Sequence, residues 1–142
     1  MIRGLLIVSA LFIVAADAKE DAVKADLKKL QGRWLLERLE RNGFDATKAS
    51  NVEGYVFEFL DAKFFMWRSR EKKAGKDSIG YSITIDPSKD PKHIDIKELA
   101  LGIYKIEGDT LIICWDIERP TEFKGPKDKF GWRLWTLKRL KD

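Results

Sequence analysis

The spacing of hydrophobic residues changes at about residue 32. Between residues 20 and 31, Val23, Leu27 and Leu30 are separated by four and three positions, which places their side chains on one face of a helix. Gly32 follows and is suited to ending that helix. The spacing therefore predicts a short N-terminal helix that packs against another part of the chain.

After Gly32, hydrophobic and polar residues alternate in short segments that are separated by turn residues. The pair Gly108-Asp109 suits a two-residue hairpin turn, and the first segment is followed by Asn42-Gly43 and a polar loop to Gly54. The predicted strands are residues 33–40, 55–60, 63–70, 79–86, 93–97, 101–107, 110–115 and 131–139. About eight short strands predict an all-β protein, either an antiparallel barrel or a sandwich.

Large hydrophobic side chains occur on both faces of several predicted strands. They are Phe57, Phe59, Phe64, Phe65, Met66, Trp67, Trp132 and Trp135. A closed barrel buries its inward side chains and can also cover part of its outer surface. The predicted helix is the candidate cover for that outer surface.

The first eighteen residues have the three parts of a secretory signal peptide. Arg3 provides a basic start, residues 5–16 form an apolar run of 12 residues, and Ala16-Asp17-Ala18 offers small residues for cleavage. A spanning helix needs about 20 apolar residues. We therefore predict a signal peptide at 1–18, a single barrel domain at 19–142 and export to the periplasm or the extracellular space. No membrane span is expected after cleavage.

Composition limits the chemistry that this chain can carry. A length of 142 residues suits one hydrophobic core, and a single cysteine excludes a disulfide within the chain. One histidine and one cysteine allow few nucleophile–base pairs, and there is neither a G-x-S-x-G motif nor a phosphate-binding glycine loop. We predict a protein that is not an enzyme and that has no cofactor. Cys114 lies in the apolar run 111–115 and is expected to be buried.

A cluster of possible metal ligands has a simpler explanation. Asp86, Asp90, His93 and Asp95 lie within ten residues of one another. Asp86 and Asp90 belong to a turn bounded by prolines, where aspartate is favoured without any metal. With one histidine and no cysteine nearby, we predict no metal site.

Two features are similar to the lipocalin pattern. Gly32-Arg33-Trp34 opens the first predicted strand directly after the helix, and Arg139 ends the last strand. In lipocalins, the tryptophan of a G-x-W motif is covered by an arginine from the final strand. The resemblance implies that Gly32, Trp34 and Arg139 close one end of a barrel, where a guanidinium stacked on an indole contributes cation–π and apolar contact.

From about residue 26 to the C-terminus, the chain resembles more specifically a planctomycete-type exported domain of unknown function that is described as lipocalin-like. The matching segments are residues 26–34, 85–87, 91–95, 102–104, 108–111, Cys114, 119–123 and 137–139. This resemblance implies a lipocalin-like barrel and export. It supplies no catalytic residues.

The segment Arg119-Pro120-Thr121-Glu122-Phe123 belongs to that resemblance and precedes the last predicted strand. One interpretation places Arg119 and Glu122 at a surface for a ligand or partner. The other is a structural loop in which Pro120 fixes φ and Arg119 pairs with a local carboxylate. The structural interpretation is favoured because such local roles are common in loops.

Residues 123–142 combine seven basic residues with four aromatic ones. This mixture can bind single-stranded nucleic acid, but predicted export favours acidic envelope polymers over nucleic acid. A solvated edge of a basic protein explains it equally well and is preferred. We therefore predict no nucleic-acid partner.

Two functions follow from the predicted barrel. The first is binding of a small apolar molecule in the open end, with Phe59, Met66, Tyr81, Tyr104 and Trp115 as the candidate lining. The second is a completely packed barrel that binds another protein or a cell-envelope component, suggested by the short chain and its basic C-terminal third.

Overall fold

A computed structural model describes residues 5–75, 78–125 and 131–141, with side chains from residue 16 onward. The described residues form one helix, α1 (Leu5–Leu30), and nine strands. The strands are β1 (Gly32–Arg41), β2 (Phe44–Asp45), β3 (Val56–Leu60), β4 (Lys63–Trp67), β5 (Tyr81–Asp86), β6 (Lys92–Ile96), β7 (Ala100–Glu107), β8 (Thr110–Asp116) and β9 (Arg133–Arg139). Residues 1–4 of the predicted signal peptide lie outside the described residues.

Eight of these strands form a closed antiparallel barrel. The strand order is β2-β1-β3-β4-β5-β6-β7-β8-β9, and β1 also pairs with β9 to close the sheet. The ninth strand, β2, extends the far end of β1 through the pairs Glu40↔Asp45 and Arg41↔Phe44. The prediction of an all-β fold with about eight antiparallel strands and an N-terminal helix is confirmed.

Several predicted boundaries differ from the structure. The helix begins at Leu5 and not at residue 20, because the apolar run before residue 20 is helical as well. Asn42 and Gly43, with φ of 51° and 81°, form a two-residue turn, and the two residues after it form β2, where a polar loop was expected. β4 ends at Trp67 and not at residue 70, because its pairing with β3 ends there, at the first residue of β3, Val56.

A bulge in β1 changes which residues face the barrel interior. Leu36 pairs with Leu137 and Arg38 with Thr136, so Glu37 is an extra residue between two consecutive pairs. Before the bulge Trp34 and Leu36 face inward. After it the inward positions have the opposite parity and include Leu39.

Trp34 and Arg139 close one end of the barrel, which we call the base. The indole of Trp34 is completely buried, and the guanidinium carbon of Arg139 lies 4.0 Å from the centre of its ring. Gly32 adopts a φ of +107°, which strongly favours glycine. A Cβ there would lie 3.6 Å from Nη1 of Arg139.

The same two side chains receive the end of α1. The last carbonyl groups of a helix lack partners within the helix. Trp34 Nε1 donates to the carbonyl of Leu30 at 2.9 Å, while Arg139 donates to the carbonyls of Lys29 and Gln31 at 2.6 and 3.0 Å. The positive charge of Arg139 also lies at the negative end of the helix dipole.

Asp26 attaches α1 to the opposite wall of the base. Its Oδ2 accepts hydrogen bonds from Nζ of Lys92 and from the hydroxyl of Tyr104, both at 2.7 Å. Burial raises the pKa of Asp26, but the hydrogen bonds from Lys92 and Tyr104 together with the positive charges of Lys92 and Lys29 hold the pKa below its usual value.

The expected role of the helix as a cover for the outer surface is wrong, because its C-terminal end packs over the base. Segment 68–75 covers one outer patch: Glu58 accepts from Trp67 Nε1 and from the backbone of Ala74, and Arg33 donates to the carbonyl of Arg70. Loop 117–125 covers another patch, which contains Ile103, Cys114, Trp132 and Leu134. These two patches explain why aromatic residues occupy both faces of several strands.

Among the described residues, no helix has the length and apolar character needed to cross a membrane.

Replacing Trp34 with alanine tests the base. We expect Trp34→Ala to lower the free energy of unfolding by about 3–5 kcal/mol, because it leaves a cavity and removes a hydrogen bond to α1. Urea denaturation measures the change. Ile117→Ala, at an exposed loop position, should change it by less than about 0.5 kcal/mol. A near-zero effect of Trp34→Ala would contradict the structural role given to the indole.

Asp26→Asn tests the attachment of the helix. At pH 7 we expect a loss of about 2 kcal/mol, because the partly exposed ammonium of Lys92 and the buried hydroxyl of Tyr104 lose a charged acceptor. Since the folded pKa of Asp26 is depressed, its contribution is complete above the unfolded pKa of about 3.9. It is lost as the pH falls through the folded pKa.

Urea denaturation of the wild type and the variant at several pH values measures this difference, which should shrink in acid. Asp21→Asn, an exposed position on the same helix, is the matched control and should show little effect. A difference that is independent of pH would contradict the assignment.

Candidate functional site

The half of the barrel next to the base is filled with side chains. The largest completely buried residues there include Trp34, Phe59, Tyr104, Leu111 and Leu137. Phe59 and Tyr104, which were predicted to line a cavity, are therefore part of this packed half.

The other half holds a cavity of about 310 Å³ that opens at the end opposite the base. We call this end the mouth. The cavity is lined by Leu36, Leu39, Arg41, Val52, Tyr55, Phe57, Met66, Ile96, Leu99, Ala100, Trp115, Arg133 and Trp135. Most of these side chains are apolar, as is usual for sites that take small molecules.

Three aromatic rings that line the cavity also pack against one another. The ring of Trp135 lies 4.6 Å from that of Phe57 and 5.2 Å from that of Trp115, and both pairs are edge-to-face. Such pairs prefer this arrangement because the positive ring edge meets the negative ring face. The aromatic wall is thus fixed by contacts within the barrel.

Two arginines stand among the apolar lining residues. Arg41 and Arg133 are register partners on β1 and β9, and Arg133 is also the partner of Trp115 on β8. Side chains at directly paired positions lie on the same face of a sheet, so the three form one row at the mouth. Burial lowers the pKa of Arg133, and the positive charge of Arg41 lowers it further.

Trp115 has an unsatisfied donor. Its side chain is only 3% exposed, and its indole N–H has no hydrogen-bond acceptor among the described residues. A buried donor without a partner costs about 1–3 kcal/mol. Gly102 makes room for the ring, since a Cβ at that position would lie 2.8 Å from Cε3 of Trp115.

Of the five side chains predicted to line the cavity, Met66 and Trp115 do so. Phe59 and Tyr104 are packed in the base, as described above. Tyr81 is half exposed at the start of β5, beside Phe64, where pairing between β4 and β5 stops. The structure therefore places three of the five outside the cavity.

The sequence prediction missed both arginines and Trp135. Arg41 was missed because the bulge at Glu37 reverses the inward parity of β1 after Leu36. A signal was present, since Leu36 and Leu39 cannot both face inward in a regular strand. The sequence marks Trp135 as a large hydrophobic residue but does not place it in the cavity, because one sequence does not specify strand register.

The loop that contains Arg119 is attached to the barrel wall. Arg119 Nη1 and Nη2 donate to the two carboxylate oxygens of Asp95 at 2.6 and 3.0 Å, and Nη1 also donates to the carbonyl of Gly102 at 2.8 Å. The carboxylate partner is on β6 and is not local, unlike the pairing expected from the sequence. Because Nη1 and Nη2 each bind one oxygen of the carboxylate, the pair fixes the orientation of the Arg119 side chain as well as its distance from Asp95.

The other members of this motif differ in their surroundings. Pro120 and Glu122 line a shallow, mostly polar groove outside the barrel. Phe123 packs against the patch that contains Cys114, and Nζ of Lys105 lies 4.9 Å from the centre of its ring. Arg119 and Phe123 therefore hold the loop against the wall, while Glu122 is exposed to solvent.

Cys114 lies beneath this loop and is completely buried. Burial raises the pKa of its thiol to about 12. A thiol in this state is almost entirely protonated at neutral pH and is a poor nucleophile.

Two aspartates of the predicted cluster, Asp86 and Asp95, have partners within the protein. Asp86 accepts from the hydroxyl and backbone of Ser88, and Asp95 is held by Arg119. Within the described part of the chain, no three or more His, Cys, Asp or Glu side chains come together as a metal site.

The chain matches no protein-family model, no curated protein and no solved structure. The closed barrel that the lipocalin resemblance implied is present, whereas the closer likeness to a planctomycete-type domain gains no support from these comparisons.

Residues 126–130 and 142, part of the basic C-terminal stretch, lie outside the described residues.

Arg119→Met tests the attachment of the loop. We expect a loss of about 1–2 kcal/mol in unfolding free energy, since the pair with Asp95 is only partly exposed. Because the loop covers Cys114, the thiol of Cys114 should also react faster with a thiol reagent in the variant than in the wild type under native conditions. Arg38→Met removes an arginine whose pairing is more exposed and should change neither quantity. An unchanged rate of Cys114 labelling would contradict the covering role of the loop.

Proposed function

We propose that this protein is an exported lipocalin-like barrel that binds a small apolar molecule at its mouth. The observation that carries the proposal is the apolar cavity of about 310 Å³ above a packed base. Cavities that take small molecules measure about 300–1,000 Å³, so this one suits a small ligand. The role is one of binding and not of catalysis.

The difference between the packed base half and the hollow mouth half favours binding of a small molecule over the second hypothesis, a completely packed interaction module. A completely packed interaction module has no need of an interior space, yet the mouth half contains one while the base half is filled. The aromatic pairs of Phe57, Trp115 and Trp135 line the space with rings that are already ordered. A preformed apolar wall lowers the entropic cost of binding. Export rests on the N-terminal sequence pattern alone.

Filling the cavity tests the proposal. Ala100 lines the cavity, whereas its neighbour Leu101 faces away from it and is partly exposed. We expect the full chain to bind 1-octanol, a neutral apolar probe, in isothermal titration calorimetry. Ala100→Phe should abolish that binding because the added ring occupies the space.

Leu101→Phe is the matched control, since it adds the same ring to the outer face of the same strand and should leave binding intact. Near-ultraviolet circular dichroism checks that both variants are folded. If the wild type does not bind octanol, or if both variants bind it equally well, the proposal is wrong.

A further inference from the structure

We infer that the ligand is an amphipathic anion, with a short apolar body in the cavity and one carboxylate held between Arg41 and Arg133 beside the indole N–H of Trp115. This inference rests on the proposed function and specifies its ligand class. It is carried by the charges at the mouth, by the unsatisfied donor of Trp115 and by the size of the cavity.

The two arginines form a positive pair at the mouth. They occupy directly opposed positions on β1 and β9, where Cβ atoms are about 5 Å apart. Neither guanidinium has an ion pair or a hydrogen bond among the described residues. The negative charge of Asp116 acts on Arg133, but that carboxylate accepts from the backbone of Ile117 at 2.6 Å. A carboxylate between the two guanidinium groups would relieve their repulsion and accept their hydrogen bonds.

The indole N–H of Trp115 adds a third donor to the same row. Trp115 is the register partner of Arg133, and its N–H is buried without an acceptor among the described residues. Such donors are rare in folded proteins, because leaving one without a partner is costly. An acceptor on the ligand would satisfy it, as water or protein acceptors do elsewhere.

The remaining lining residues determine the rest of the ligand. They include no aspartate or glutamate, and apart from the two arginines and the hydroxyl of Tyr55 they are hydrocarbon, thioether or indole groups. A cationic ligand would therefore meet only positive charge. At about 30 Å³ for each water molecule, the cavity has the volume of about ten waters. Octanoate, with about that many non-hydrogen atoms, is a probe of suitable size.

The test compares three probes with the same chain: octanoate, 1-octanol and octylamine. Calorimetry on the full protein should give the tightest binding for octanoate and the weakest for octylamine. Arg41→Gln and Arg133→Gln should each weaken octanoate binding about tenfold and leave octanol binding unchanged. The control Lys138→Gln removes one positive charge from the other end of β9 and should change neither octanoate binding nor octanol binding.

The donor of Trp115 has its own measurement. In an NMR spectrum of the ¹⁵N-labelled protein, the signal that is missing from Trp115→Phe identifies the indole N–H of Trp115. That signal should change its chemical shift when octanoate is added. Circular dichroism establishes that each variant is folded.

The outcomes separate this inference from the proposed function. Equal binding of octanoate and octanol, or arginine variants that bind octanoate as well as Lys138→Gln does, would overturn the anionic ligand and leave the apolar site in place. Failure of all three probes to bind would remove both proposals. Preferential binding of octylamine would overturn the inference as well.

Discussion

The stacking of Arg139 on Trp34 is the interaction on which the rest of the structure depends. It joins the first and last strands of the barrel. The same two side chains also hold the end of the N-terminal helix, because both donate hydrogen bonds to carbonyl groups there. Closure of the sheet, burial of the indole and termination of the helix are therefore one arrangement. Asp26 completes it from the opposite wall through Lys92 and Tyr104.

This arrangement gives the two ends of the barrel different properties. At the base, buried polar groups find partners: the indole of Trp34 donates to a carbonyl, and the hydroxyl of Tyr104 donates to a carboxylate. At the mouth, the equivalent indole of Trp115 has no acceptor among the described residues, and two arginines face each other across neighbouring strands. The donors of Trp34 and Tyr104 thus have acceptors at the base, whereas the donor of Trp115 at the mouth does not, and an unsatisfied donor beside a cavity is suited to binding a ligand.

The outer surface shows why aromatic residues alone do not identify a ligand site. Phe65 stacks on Trp67 outside the barrel, beneath segment 68–75, and Trp132 packs with Cys114 beneath loop 117–125. These side chains are as large as those in the cavity and nearly as apolar. Their role is to seal loops against the wall, with Glu58 and Arg119 supplying the polar attachments.

The sequence by itself determined the all-β class, most strand positions and the Gly108-Asp109 hairpin, because these depend on local alternation and on turn residues. The motif residues Gly32, Trp34 and Arg139 were also recognisable, since their pattern is local to the first and last strands. Only the tertiary structure decided which side chains line the cavity. One bulge at Glu37 reverses the inward face of β1, and the pairing of β1, β9 and β8 brings together Arg41, Arg133 and Trp115 from distant parts of the chain. Register and bulges depend on contacts between strands, so spacing along one strand does not specify them.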